Sequence, residues 1–191
     1  MSLPKAEKNL YFSSSKKISH RYKESPMFVF DQQKITDLCH MAQSRGRKRM
    51  NQNIHLQLSD PVQRLFNAIQ PLSYVQPHRH IGFDTWEAFV LIQGAGVALS
   101  FDAYGFVTHR ADLSETGVRM VEIPPETFHT VLALEPDTLF FEIKRGPYNP
   151  QQAKSFAPWA PTEDDEASSQ YAKWLQNAHV GDCFIETVNR T

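Results

Sequence analysis

Between residues 53 and 144, turn-forming residues cut the chain into short pieces, and apolar side chains alternate within the pieces. Ile54, Leu56 and Leu58 alternate with His55, Gln57 and Ser59, a period of two that suits a half-buried strand. Further strands are predicted near residues 64–70, 73–80, 87–93, 96–102, 106–110, 118–123, 129–134 and 138–144. Turn signals separate them at Asp60-Pro61, Gly94-Ala95-Gly96, Asp102-Ala103-Tyr104-Gly105, Thr116-Gly117, Pro124-Pro125 and Glu135-Pro136-Asp137. Many short strands at even spacing predict an all-β barrel or sandwich rather than an alternating α/β sheet.

The flanks read differently. Met27-Phe28-Val29-Phe30 is predicted as a short strand, and Asp31 as the cap of an amphipathic helix over residues 32–44. Ile35, Leu38, Cys39 and Ala42 give that helix its apolar face, and Gly46 ends it. After Gly146-Pro147 the chain is proline-rich through Pro161 and is expected to wrap the surface without joining a sheet. Thr162, with Asp165 as the acidic partner, is expected to cap a last helix whose apolar face is Tyr171, Trp174 and Leu175. Residues 1–25 are polar; Met1-Ser2-Leu3 resembles a vector leader and Asn9-Leu10-Tyr11-Phe12-Ser13 a protease-tag site, so they are expected to form a flexible arm. The expected division is therefore an arm at 1–25, a strand and helix at 26–52, a barrel at 53–150, and a wrap and helix at 151–191.

Composition narrows the function classes. The chain has 191 residues, 41% hydrophobic and 21% charged, as a folded domain would. A formal net charge of −1 gives no general pull toward nucleic acid or an anionic membrane, and neither is an expected partner. No run approaches the ~20 apolar residues of a membrane helix. No signal-peptide pattern is present at the start, which predicts a cytoplasmic protein. Cys39 and Cys183 show no CxxC spacing and read as two free thiols.

The chemistry concentrates at His78-Arg79-His80. Residues i and i+2 of a strand share a face, so the two imidazoles project side by side and Arg79 points away. Glu87 and His129 each open a later apolar run. Three imidazoles and one carboxylate suit one divalent transition ion (Fe, Mn, Ni, Co or Zn) better than calcium or magnesium. On an octahedral ion they leave two positions for water, substrate or dioxygen.

These blocks resemble the two cupin motifs. The first runs His78-x-His80, Glu87 and Gly94; the second runs Pro124-Pro125-Glu126-Thr127-Phe128-His129. There are departures: six residues separate His80 from Glu87 where three or four are usual, Glu126 stands where the second motif has glycine, and Leu72 where a glycine precedes the first histidine. Asp84 is the alternative carboxylate. Asp60-Pro61-Val62-Gln63-Arg64-Leu65, Asn67-Ala68, Pro77-His78-Arg79-His80, Phe101-Asp102, Glu122-Ile123-Pro124-Pro125, Gly146-Pro147-Tyr148-Asn149-Pro150 and Phe156-Ala157-Pro158-Trp159-Ala160-Pro161 resemble the WbuC-type cupin family over roughly residues 48–175. Ala153-Lys154-Ser155 departs from that family's acidic pattern.

The resemblance implies a cupin fold: a double-stranded β-helix (jelly-roll) barrel with an N-terminal and a C-terminal helix. It implies a metalloprotein of surface-polysaccharide (O-antigen-type) biosynthesis, acting on or binding a sugar-derived small molecule. It assigns no reaction. A sugar isomerase or epimerase, a mononuclear iron dioxygenase and a non-catalytic binder or scaffold are all expected classes, and a homodimer is expected by analogy.

Other polar residues are weighed against plainer roles. Tyr74 and Gln76 share the phase of His78 and are expected to line the cavity, with Phe89 and Leu91 in phase with Glu87. Glu142 and Lys144 are candidate acid/base groups if they face inward; the opposite phase, burying Leu139, Phe141 and Ile143, is the more usual barrel interior. The run Arg45-Gly46-Arg47-Lys48-Arg49 reads as a solvated helix end. Trp159 and Trp174 read as packing residues.

Overall fold

The structure, a computed structural model, describes residues 27–82, 84–149 and 154–184. Contacts divide the chain into a unit ending at Asp31 and a second from Gln32 onward. In the first, residues 27–31 form no strand; the rings of Phe28 and Phe30 lie 6.3 Å apart. The expected arm at 1–25 lies outside the described residues.

The second unit begins with helix α1 (Gln32–Ser44), which buries Leu38, Cys39 and Ala42. Among the described residues ten strands follow: β1 (Arg49–Asn53), β2 (Val62–Ile69), β3 (His78–Arg79), β4 (Glu87–Gln93), β5 (Ala95–Phe101), β6 (Val107–Ser114), β7 (Met120–Ile123), β8 (Phe128–Ala133), β9 (Thr138–Arg145) and β10 (Ser155–Phe156). Helix α2 (Ser168–Asn177) closes the order. One antiparallel sheet runs β1-β2-β9-β4-β7 and the other β10-β3-β8-β5-β6. From β2 to β9 the chain crosses between sheets in the order that defines a jelly roll, so the protein is all-β of the cupin type with a helix at either end.

Strand alternation builds two apolar layers. Ile69, Phe89, Leu91, Ile123 and Phe140 of the first sheet meet Ala98, Leu113, Val131 and Ala133 of the second, filling the space between the sheets. Each fully buried large side chain there contributes about 1.5–3 kcal/mol. The outer face of the second sheet carries Val97, Leu99, Phe101, Phe128 and Leu132, which pack under Tyr171, Leu175 and the segment around Ala157–Ala160. Trp159 seals this layer, with ring centroids 5.0 Å from Phe101 and 5.9 Å from Phe128. Gly94 sits at φ 82, where a Cβ would lie 2.6 Å from Thr138 Oγ1, so the turn between β4 and β5 requires glycine.

Several expectations need correction. Residues 54–58 alternate but form no strand; the strand is β1, just before them. His55 is instead folded back, its Nδ1 accepting from the Arg64 N–H at 3.1 Å. Only His78 and Arg79 of the expected 73–80 strand are paired, because the chain turns at Leu72 with φ 64. Residues 73–77 form no strand, so period-two alternation does not link Tyr74 to His78, and Tyr74 points outward: its ring lies 5.7 Å from Tyr171 and its hydroxyl donates to Pro161 O at 2.7 Å. The proline-rich segment does join a sheet, as Ser155 and Phe156 pair with Arg79 and His78. Helix α2 starts at Ser168 after Ala167, with no side-chain cap, so Thr162 does not cap it. Asp165 instead accepts from the Ala167 N–H at 2.9 Å in the preceding turn. Cys39 and Cys183 are both free thiols.

Candidate metal centre

His78 and His129 come together because β3 and β8 are neighbours in register. Their ring centroids are 4.7 Å apart, and His80, just beyond β3, lies 5.3 Å from His78 and 5.7 Å from His129. Glu87 reaches them from the opposite sheet, where it stands across from Lys144 on β9 and Ile123 on β7. All four are buried, and one ligand atom from each lies within 4.8 Å of the others. Arg79 points to the other face, its guanidinium 4.8 Å over the Phe128 ring. Asp84 is apart from the cluster and pairs with Arg145.

The hydrogen bonds fix how the rings face. Nδ1 of His78 lies 2.9 Å from Gln76 O, and Nδ1 of His129 lies 2.8 Å from Thr127 O. A carbonyl only accepts, so each Nδ1 carries a proton and a neutral ring presents the Nε2 lone pair inward. Glu87 Oε2, itself an acceptor, lies 2.9 Å from His129 Nε2 and 3.1 Å from His80 Nε2. Where the His129 Nε2 lone pair meets Glu87 Oε2 at this distance, a proton or a metal ion lies between them, while His80 Nε2 can donate an N–H of its own. Two donors about 2.1 Å from one ion and at right angles stand about 3.0 Å apart, so these spacings fit a transition-metal ion as well as a shared proton. The backbone carbonyls play the outer-shell part that orients ligating imidazoles.

Glu87 is held from its other side too. Lys144 Nζ lies 3.2 Å from Glu87 Oε1 and 2.6 Å from Glu142 Oε1, and Glu142 Oε2 accepts from Asn67 Nδ2. Thus Glu142 and Lys144 face inward, with Phe140 below them, and the phase that would bury Phe141 and Ile143 is not adopted. Burial drives the Glu87 carboxyl upward, but the Lys144 charge and the bonds from His129 and His80 outweigh it and hold it well below the usual carboxylate range. Glu142 goes the other way: burial and the nearby Glu87 charge raise it despite Lys144. Burial opposes the Lys144 charge, yet Glu142 and Glu87 together raise its pKa and keep it protonated. His78 is lowered far below the imidazole range by burial, then by the charges of Lys154 and His129.

Beside the cluster a cavity of about 160 Å³ opens past His80 and Lys144, with Thr85, Trp86, Tyr148 and Asn149 on its wall. Among the cavity-lining candidates, Phe89 and Leu91 lie in the inter-sheet layer under the cluster, and Gln76 contributes the carbonyl that orients His78. On sequence grounds Asn67 and Tyr148 enter only within the family-like strings, with no site role, and Trp86 carries no expectation at all. Asn67 could have been found from its phase with Leu65 and Ile69; the wall residues sit on irregular segments and carry no such signal.

Strand order and site define the class as a jelly roll of the cupin type with a buried His/Glu cluster that could hold a metal ion. A family model described as a domain of unknown function, DUF6016, matches residues 30–113. No curated protein matches the chain in sequence. Similar solved structures include CapF, a capsular polysaccharide assembling protein from Staphylococcus aureus, at 20% identity over 51% of this chain and 27% of that one, with a TM-score of 0.44. This chain therefore spans just over a quarter of that protein. KdgF from Halomonas sp. is similar at 18% identity over 54% of this chain and 83% of that one, with a TM-score of 0.42. A cupin superfamily protein from Desulfitobacterium hafniense is similar at 16% identity over 56% and 86%, with a TM-score of 0.42. No helix among the described residues is long and apolar enough to cross a membrane.

Proposed function

We propose that the protein binds one divalent transition-metal ion through His78, His80, Glu87 and His129 and presents it to a small oxygen-bearing molecule. The observation that carries this reading is the convergence of imidazole Nε2 atoms on Glu87 Oε2, with the Nδ1 protons of His78 and His129 already committed to carbonyls. A bound ion supplies Lewis acidity to an oxygen of the ligand. The chain's own residues orient the donors, exclude water from beneath them, and fix Glu87 through Lys144. A sugar-derived ligand and a place in surface-polysaccharide synthesis belong to the same proposal, supported by the motif string from Asp60 to Pro161.

Metal analysis of protein purified without added metal tests it. Stoichiometric metal is expected, with affinity in His80→Ala and His129→Ala falling by more than the about 10–100-fold that an outer-shell loss costs. Absence of metal with no uptake on titration would sink the reading. Metal-dependent turnover of a sugar derivative, lost in both variants, would make the protein an enzyme rather than a binder.

A further inference from the structure

We infer that the ligand of this centre is a small carboxylate, held between the ion and a cationic wall formed by Lys144 and Arg145, with the charge of Lys154 behind it. The inference rests on the metal-binding reading above and adds the charge and size of what is bound. Among the described residues the cavity beside His80 is lined by Lys144 and Arg145 and by no acidic side chain. Three carboxylates near it have cations: Asp84 pairs with Arg145, while Glu87 and Glu142 share Lys144. Lys154 adds a further positive charge that interacts with Glu87 and Glu142. Three carboxylates thus face three cations, and the charge of a divalent ion placed among the histidines has no protein counter-charge. An anion entering the cavity supplies it; a neutral polyol does not.

Size and coordination narrow the class. The space of about 160 Å³ beside the cluster takes several waters and so has room for one short acid or one sugar ring. An octahedral ion with four protein donors takes two more atoms, and an α-hydroxy carboxylate offers two oxygens with one negative charge. Lys144 has three N–H groups; Glu87 and Glu142 engage two, which leaves one for the ligand's carboxylate. Trp86 and Tyr148 offer aromatic surface to the rest of the molecule.

The test is calorimetric titration of the full chain loaded with Mn(II), with Mn content measured first. Glycolate and glucuronate are compared with their neutral counterparts, ethylene glycol and glucose, and with inorganic phosphate. At least one carboxylate is expected to bind about tenfold tighter than its neutral counterpart, and to lose that preference when Mn(II) is removed. Lys154→Gln and Arg145→Gln, neither of them a ligand, are each expected to weaken carboxylate binding about threefold and to leave the neutral compounds unaffected. Mn uptake with no carboxylate preference overturns this inference alone, as does phosphate binding tighter than both acids. No Mn uptake overturns the metal-binding reading together with it.

Discussion

Lys144→Met in metal-free protein is the sharpest probe of how the centre is built. The Lys144 side chain is 14% exposed, and it bridges Glu87 and Glu142 side chains that are 3% and 8% exposed. Removing one partner from a buried ion arrangement costs about 3–5 kcal/mol, because the charges left behind stay out of water. Here two carboxylates lose their cation, but Glu142 is already raised by burial and by Glu87, so it takes up a proton and absorbs part of the penalty. The expected loss is therefore near the lower end, about 3 kcal/mol near neutral pH, read as a shift in the urea midpoint with an unchanged slope. A folded carboxyl raised above its unfolded value contributes most below that unfolded value. The deficit of the variant should therefore shrink as pH falls toward the ordinary carboxylate range and grow as it rises. Because Glu142 is already protonated in the single variant, adding Glu142→Gln should recover less than about 1 kcal/mol and weaken the pH dependence. A loss below about 1 kcal/mol at neutral pH would refute the reasoning, because it is the size expected of an exposed pair.

Two further outcomes follow from backbone geometry. Leu72 and Glu126 stand at φ 64 and 58, so glycine there should be more stable than alanine by about 1 kcal/mol, the reverse of the usual order; thermal unfolding of Leu72→Gly against Leu72→Ala checks it. Equal stability of the two Leu72 variants would mean the turn is not left-handed. Gly146→Ala would place a Cβ 2.1 Å from Asp60 O, and a loss of about 1–3 kcal/mol in urea unfolding is expected; a neutral result would show that the β9 exit relaxes freely.

Those two left-handed residues explain how a sequence that departs from a motif can keep its backbone. Glycine is absent at both positions, yet the chain adopts the conformation glycine would favour. At Glu126 the side chain is put to use: its Oε1 accepts from the Gly82 N–H at 3.3 Å, and its own N–H donates to His80 O at 3.2 Å. The long segment between His80 and Glu87 is tied down in part by these bonds, and Thr85 Oγ1 donates to His80 O at 3.1 Å from within it. Glu87 therefore reaches the histidines despite the unusual spacing, while Asp84, inside the same segment, turns to Arg145.

What was legible followed from where one residue anchored the alternation. The run after Glu87 is apolar on both faces, so its phase is read from Glu87 itself, with Phe89 and Leu91 following it into the layer between the sheets. On β9 alternation was ambiguous, since both faces of that strand carry apolar groups: Phe140 packs between the sheets, while Phe141 lies against Phe66 with ring centroids 5.0 Å apart. Counting hydrophobics favours Leu139, Phe141 and Ile143 inside and leaves Glu142 and Lys144 outside. The structure chooses the other phase because the carboxylate of Glu87, buried on the neighbouring strand directly opposite Lys144, needs a cation. A polar cluster on one strand thus sets the phase of the next, an effect no single strand's sequence contains. The same logic makes Glu142 part of the centre: once Lys144 is inside to hold Glu87, its charge is shared with the next inward residue two positions earlier, and Asn67 completes that carboxylate from β2.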